Sequence, residues 1–567
     1  MKATFIKKHI TNALVGLSVI LGALGYIIYF HNYDISYDFT DLIYAVIKLF
    51  LVDSNFDLFH VNILLNIARF LAPFSLATAI IIGIMKLLSK TWNMEKVKHY
   101  NNHIIICGDA GSNQSLALDI QNKGDRKHII LRKENSNTES QWPMEVNYRN
   151  IDQDLIEQTA IYQASYIFIS FENDAETLVF TKKLLDIIDF NSIEKELDII
   201  LMFRNPEWAE VSNDLGIMES INTLARANKN LNIRYLNYID KSIRKQMLKY
   251  SPDNIKAITQ KNDPQLCIGL IGDNTISKRL IINLALNAHY INHRPLKIYL
   301  SQQSSPDFDS FLKHYQILNI LEIELRSIEE LAQSHIDITA FYICQDDELE
   351  LAKSSLILNK SPYQNRIRRF VFTESLRNLT ALLPDTQNTI IDISKEIGVW
   401  NNIIDESLDD LAKTIHSDYI ESLGDKRIAD KPTHQDWDFL PDEIKDRNRM
   451  QADHMGVKIR SLGCVDVAKD SPIPAYDWNN DARLEDLSKA EHLRWNAYMY
   501  YKGWKVGPTK DERMKIHTDL VAYENLDEPT KDYDRNAIKN IPNLLDQLKR
   551  KVVQAPAHNS PNKQEAI

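Results

Sequence analysis

The chain is predicted to combine an α-helical membrane module of two transmembrane helices, tandem doubly wound parallel-sheet α/β domains and a small all-α C-terminal domain. Three observations lead there. Two long apolar runs lie near the N-terminus. Strand-like and helix-like runs then alternate twice through the same order, and beyond residue 405 the helical runs dominate. Alternating strands and helices are the pattern of a parallel sheet. At 567 residues, a prior of about 150 per domain gives roughly four units.

The first apolar run, "NALVGLSVILGALGYIIYF", extends from Asn12 to Phe30 without a charge. That is about the length a bilayer core requires. Tyr26, Tyr29 and Phe30 suit an interfacial belt, and no small-residue cleavage site follows, which argues against a removed signal peptide. The second run, "RFLAPFSLATAIIIGIMKLLSK", places the other span at 69–88. Pro73 would kink it, which membrane helices tolerate. Between them, "DLIYAVIKLFLVDSNFD" from Asp41 carries an apolar run over 41–52, broken by Lys48. It is too short to span and long enough for a re-entrant helix.

Flanking charge orients this module, residues 1–98. Lys2, Lys7 and Lys8 precede the first span; Lys86, Lys90, Lys96 and Lys98 end the second; the intervening segment is acidic. Both termini are therefore expected in the cytoplasm of a multi-pass protein. Helix, short re-entrant helix, helix resembles the pore module of two-helix potassium channels. The departure is in the filter: where TVGYG should stand, the chain reads "FLVDSNFD". A carbonyl ring that replaces potassium hydration needs the glycine-rich backbone. A two-helix anchor with an extracytoplasmic loop is the alternative reading.

From His103, "HIIICGDAGSNQSLALDI" reads as a strand, a polar turn and a helix. "HIILRKEN" from His128, a strand over Tyr166–Phe171 and "LDIILMFRNPEWAEV" from Leu197 continue the alternation. The order repeats in "LCIGLIGDNTISKRL" from Leu266, "LKIYLS" from Leu296, "ITAFYICQDDELEL" from Ile338 and "RIRRFVFTESL" from Arg366. An internal duplication follows, with one copy over 101–255 and another over 262–400. The arrangement resembles the RCK domain, a Trk-type NAD-binding Rossmann fold, in tandem. The resemblance implies a homo-oligomeric ring, tetrameric in the family, that binds a nucleotide or ion and moves pore helices.

In a dinucleotide fingerprint the turn after the first strand cradles a pyrophosphate at a helix N-terminus. The three glycine slots hold Gly108, Ala110 and Asn113 here, with Gly111 between. Glu134 stands where an acidic residue would hold a ribose hydroxyl. The turn is read as a regulatory nucleotide site or as the scaffold of one. The second copy has Gly272, Asn274 and Ser277 in those slots and Ser301 in place of the acid, so it reads more strongly as scaffold.

Residues 405–545 carry "LEDLSKAEHLRWNAYMYYKGWKVGP" and "HTDLVAYENLDEPTKDYDRNAI". Glu491, His492, Trp495, Gly503, Trp504, Gly507, His517, Tyr523 and Arg535 make this segment resemble the Ryr repeat, the small helical domain named for ryanodine receptors. The upstream "NRMQADH", with Arg449 and His454, resembles the extension of its bacterial relatives. Aromatic faces from Trp495, Trp504 and Tyr523, with donors from Arg449, His454, His492, His517 and Arg535, suit an adenine-type nucleotide such as NAD, ATP or ADP-ribose. Core packing of the tryptophans and a protein-contact role form the competing reading. The polar residues 546–567 are expected to be disordered.

A net charge of -11 argues against nucleic acid as partner; the lipid bilayer is the partner expected instead. Four scattered cysteines without a CxxC give no support to a disulfide framework or a zinc site. No GxSxG or HExxH motif is present, so neither catalytic nor metal-binding residues are assigned and the chain is expected not to be an enzyme. Together these readings describe a channel-like protein of the bacterial inner membrane that senses a cytosolic nucleotide, with a stress or antiviral effector role suggested by analogy. A non-conducting regulator of a separate transporter is the alternative, and a membrane-anchored nucleotide-processing enzyme the third reading.

Overall fold

The structure is a computed structural model. It describes residues 2–51, 61–124, 126–134, 144–205, 228–301, 306–345, 347–361, 363, 367–373, 388–393, 398–404, 406–428 and 431–556, with isolated positions between 207 and 223. Most of the filter-position segment, the helices expected after Phe203 and Thr373, and residues 557–567 lie outside the described residues. The chain forms two compact units, one comprising Met1–Asn101 with Thr138–Val146 and Asp154–Ile161, the other comprising Asn102–Asn137, Asn147–Gln153 and Tyr162–Ile567.

The first unit is built on three helices: α1 (Lys2–Asn32), α2 (Phe39–Phe50) and α3 (Ile63–Val97). Ala13–Asn32 and Ile63–Met85 are long and apolar enough to cross a membrane, and only 22% and 17% of these windows is buried. They are therefore not core helices of this unit; Ile20, Ile67, Phe70, Phe74 and Ile81 all face outward. The second window begins before the expected Arg69. Asn62 caps α3, its Oδ1 accepting from Leu65 N at 3.0 Å, and this cap puts the start of the helix at Ile63. Pro73 lies within α3 without ending it.

A capping box between Asp38 and Asp41 starts α2. At about 1.5 Å per residue the helix is roughly 18 Å long, short of a bilayer core. It buries Val46 and Leu49 with Tyr26, Leu65, Ala68 and Ala72. Gly25 permits a close approach of α1 to α3, since a Cβ there would lie 2.7 Å from Leu65 N.

After the three helices the chain forms two six-stranded parallel sheets. In the first, β1 (His103–Cys107), β2 (His128–Lys133), β3 (Glu145–Tyr148), β4 (Ala164–Ile169), β5 (Leu197–Phe203) and β6 (Leu231–Asn237) lie in the order β3-β2-β1-β4-β5-β6. The second holds β7 (Cys267–Ile271), β8 (Lys297–Ser301), β9 (Glu322–Leu325), β10 (Ala340–Cys344), β11 (Arg368–Thr373) and β12 (Asn388–Asp392). Its order, β12-β11-β10-β7-β8-β9, is the same arrangement read from the other edge. Both sheets are thus Rossmann-like and doubly wound. The interior strands β1, β5 and β10 are buried at every residue. Strands covered on both faces read as continuous apolar runs, which explains "HIIIC" and "AFYIC".

The C-terminal region is helical, with helices Asp410–Leu423, Asp442–Ser461, Leu484–Tyr501, Glu528–Lys539 and Ile541–Gln547. Two short ribbons join them. The strands β13 (Cys464–Ala468) and β16 (Arg550–Gln554) pair antiparallel, and β14 (Lys505–Val506) and β15 (Ile516–His517) pair parallel. Strand β16 corrects the expectation of disorder from 546 onward. Val552 and Val553 are buried, and two valines in a polar tail are too short a signal to read without the partner strand. This region packs against the second sheet's helices: Tyr315 stacks on Tyr501 at 5.2 Å between centroids, and His293 Nε2 lies 2.9 Å from Asp486 O.

Candidate nucleotide site

The turn after β1 is built around Gly108. Its φ is +101°, and a Cβ would sit 2.1 Å from Ser170 O. Any side chain would collide with the end of β4 and strain the backbone. Helix α4 (Gly111–Lys123) follows, with Ala110 at its N-cap and no side-chain cap. Its first-turn N–H groups carry the positive end of the helix dipole. Ser112, buried at 6% exposure, has an Oγ without a partner. Gly111 faces open space.

Asn113 turns inward. Its Nδ2 donates to Cys107 O and to Ser170 O, both at 2.8 Å. It ties the ends of β1 and β4 together and does not present its amide to a ligand. Asp109 is also engaged, its Oδ1 accepting from Glu172 N at 3.1 Å. Glu134 is paired with Arg149. The second copy differs at the decisive point. Gly272 makes the same turn, φ +114°, but Asn274 caps the following helix, its Oδ1 accepting from Ser277 N at 3.0 Å. That helix N-terminus has the cap that α4 lacks.

In the C-terminal region the structure gathers His492, Trp495, Trp504 and His517. His492 stacks on Trp495 at 5.7 Å, and His517 lies edge-on to Trp495 at 5.0 Å and to Trp504 at 5.9 Å. Both tryptophans are half-buried. The His517 Nδ1 accepts from Asp519 N at 3.2 Å, which leaves Nε2 as a donor. Burial lowers the His517 pKa. His492 is fully committed, with Nδ1 3.2 Å from Asp534 Oδ2 and Nε2 2.9 Å from Val521 O.

The other predicted donors are engaged elsewhere. Arg449 binds Asp409 at 2.7 Å and Asp446 at 3.0 Å. Arg535 grips Glu485 through two bonds, of 2.9 and 2.8 Å, and reaches Glu528 and Asp532. His454 is 0% exposed and its Nε2 lies 2.8 Å from His289 O. Asp446 and Asp532 lie one helical turn from their arginines, but periodicity could not assign Asp409 or Glu485, which come from other segments. Sequence reading also missed Ser112 and Lys458. Lys458 meets Glu491 at 2.5 Å, and nothing in its local sequence signals burial. Among the described residues no cluster of His, Cys, Asp or Glu has metal-binding geometry.

Comparison with known proteins gives one family match. The RyR domain family matches residues 477–553, which bears out the C-terminal resemblance over that segment. No curated protein matches the chain. Among solved structures, GsuK bound to ADP is 14% identical at a TM-score of 0.34, covering 70% of this chain and 96% of that one. The GsuK channel bound to NAD is 12% identical at 0.35, covering 86% and 90%. Ornithine transcarbamoylase from Giardia lamblia is 10% identical at 0.26, covering 57% and 91%.

Proposed function

We propose that the chain is a ligand-responsive membrane protein of channel type. An adenine-type nucleotide, such as NAD, ATP or ADP-ribose, binds its Rossmann-like and RyR-type parts and regulates ion passage through an assembly of the membrane helices. The carrying observation is the contrast between the two turns. Gly108 and Gly272 make the same tight turn, yet only α4 is left without a side-chain cap and beside an unpartnered buried hydroxyl, Ser112 Oγ. An uncapped helix N-terminus is an anion-binding arrangement. The His517 Nε2 donor and the faces of Trp495 and Trp504 supply a second contact for a ring or phosphate. The proposed ligand class is the one carried by the two GsuK structures named above.

For gating, the ligand must favour one conformation over another by differential affinity. Purified protein in liposomes, tested for ion flux with each nucleotide, addresses this directly. Ligand-dependent flux supports the proposal; ligand binding without flux supports the non-conducting regulator, which "FLVDSNFD" at the filter position favours. Consumption of the nucleotide would make the protein an enzyme. Gly111→Trp and Trp504→Ala separate the two contacts. Gly108 is unsuited to that purpose, because any side chain there breaks the turn itself.

A further inference from the structure

The ribbon of β14 and β15, with the loop between them, carries charge opposite in sign to that of the whole chain. The chain has a net charge of -11. Residues 502–517 hold Lys502, Lys505, Lys510, Arg513 and Lys515, and their only acids are Asp511 and Glu512. The next stretch, 518–535, is acidic again, with six acids against two bases. The basic residues are therefore gathered on this one ribbon of the RyR-type segment.

The ribbon presents its cations to solvent. Residues 505, 506 and 508–515 are all exposed. Among the described residues neither Lys505 nor Arg513 makes an ion pair. Lys510 has an exposed pair with Glu512, at 3.3 Å, and such pairs bind weakly. Asp511 is instead turned onto the backbone, its Oδ1 accepting from Arg513 N at 2.9 Å and Met514 N at 3.0 Å. Backbone bonds fix the base of the loop: Ile516 N donates to Asp511 O at 2.8 Å, and Lys505 N to Lys515 O at 2.8 Å.

Two large apolar side chains stand among these cations. Met514 is 68% exposed and Val506 58%. An exposed apolar side chain alone needs no explanation. Interspersed with unpaired cations it has one, because binding to a bilayer surface grows with the apolar area inserted and with attraction to anionic lipids. The same chain carries Ala13–Asn32 and Ile63–Met85, long and apolar enough to cross a membrane. Anchored by them, the loop meets a lipid surface at high effective concentration, and the cytoplasmic leaflet is the anionic one. A soluble acidic protein has no such tether.

We propose that residues 502–517 dock on anionic phospholipid headgroups, with Lys505, Lys510 and Arg513 meeting the phosphates and Met514 and Val506 entering the interface. The inference rests on the membrane reading of the two apolar helices and needs no bound nucleotide. His517, at the end of the same ribbon, lies edge-on to Trp495 and Trp504, so docking places that aromatic group at the bilayer surface.

The test uses the full chain in vesicles of phosphatidylcholine, with and without phosphatidylglycerol. A fluorophore on Met514→Cys is read by quenching from spin-labelled lipid. The background is Cys267→Ser, because the other three cysteines are buried. A second label, on Phe70→Cys at the outward face of α3, reports insertion of the helices. The expected result is quenching of the 514 label at least about twofold stronger with phosphatidylglycerol, falling to the phosphatidylcholine level at high salt and in Lys505→Glu with Arg513→Glu. Both of those residues are exposed, so the fold is not at stake. An unquenched 514 label beside a quenched 70 label overturns the docking and leaves the membrane reading standing; neither label quenched overturns both. Equal quenching in the two lipid mixtures overturns the charge recognition and with it the assignment. Saturable binding of polyglutamate at the 514 label, with no response to phosphatidylglycerol, assigns the surface to an acidic protein instead.

Discussion

Lys458 Nζ lies 2.5 Å from Glu491 Oε2, with both side chains at 4% exposure or less. Arg494 completes the arrangement, donating to both oxygens of Glu491 at 2.9 and 2.7 Å. Burial opposes ionisation of Glu491, but the charges of Arg494 and Lys458 outweigh it and hold the carboxyl well below its ordinary value. This pair links the 442–461 helix to the segment that matches the RyR domain. Removing one partner leaves an uncompensated buried charge, at a cost of about 3–5 kcal/mol. Glu491→Gln is therefore expected to lower the thermal unfolding midpoint of the full chain sharply. Replacing Lys458 by Met together with Glu491 by Gln should recover part of that loss. No recovery in the double variant would show that the two residues act independently.

The turn after β1 distinguishes its two glycines. Gly108→Ala places a methyl 2.1 Å from Ser170 O at a φ of +101° and should cost more than about 1 kcal/mol. Gly111→Ala meets open space, and alanine favours a helix, so it should be neutral or stabilising by up to about 1 kcal/mol. Asn113→Asp sets a carboxylate against two carbonyl oxygens and should destabilise more than Asn113→Ala. Thermal unfolding of the three sets checks the order.

Asn62 joins α1 to α3. Its Nδ2 donates to Gly25 O at 2.7 Å while its Oδ1 caps α3. Asn62→Ala should cost about 1 kcal/mol for the cap alone. Gly25→Val should be worse, because its Cβ would press on the Leu65 backbone. Spin labels on α1 and α3 should report a longer separation in Gly25→Val than in the unaltered protein.

Two buried histidines predict acid sensitivity. Burial pushes the His454 pKa down to about 4 and that of His289 to about 3. His454 Nδ1 faces Glu491 at 3.8 Å, with Lys458 and Arg494 opposing its charge. The unfolded chain takes up these protons near pH 6.5 and the folded chain does not. Stability from this source is therefore whole above about pH 6.5 and falls as pH drops toward 4. For His454 the loss is on the order of 3 kcal/mol. The thermal midpoint, followed from pH 7.5 to 4.5, should decline, and less steeply in His454→Asn.

Much of the architecture was legible because its signals are periodic and local. An uncharged run such as Ala13–Asn32 and the buried strands "HIIIC" and "AFYIC" announce themselves through hydrophobicity alone. The aromatic group of Trp495, Trp504 and His517 was also anticipated as a set. Roles were harder. Arg449, Arg535 and His454 are chemically suited to a phosphate, but the folded chain commits the arginines to Asp409, Asp446, Glu485, Glu528 and Asp532 and buries His454. Asn113, a substitute glycine in the fingerprint, became a tie between two strand ends.

By itself the sequence determined the element types, the repeated order of the two sheets and the apolar helices, because burial and backbone periodicity act over short stretches of chain. Only the tertiary structure decided which polar groups are spent and which remain. Some hydrogen bonds and ion pairs satisfy a side chain through a partner dozens of residues away, as Ser170 does for Asn113 and Asp409 for Arg449. That pairing separates Ser112, whose hydroxyl is unmet, from Arg449, whose donors are taken.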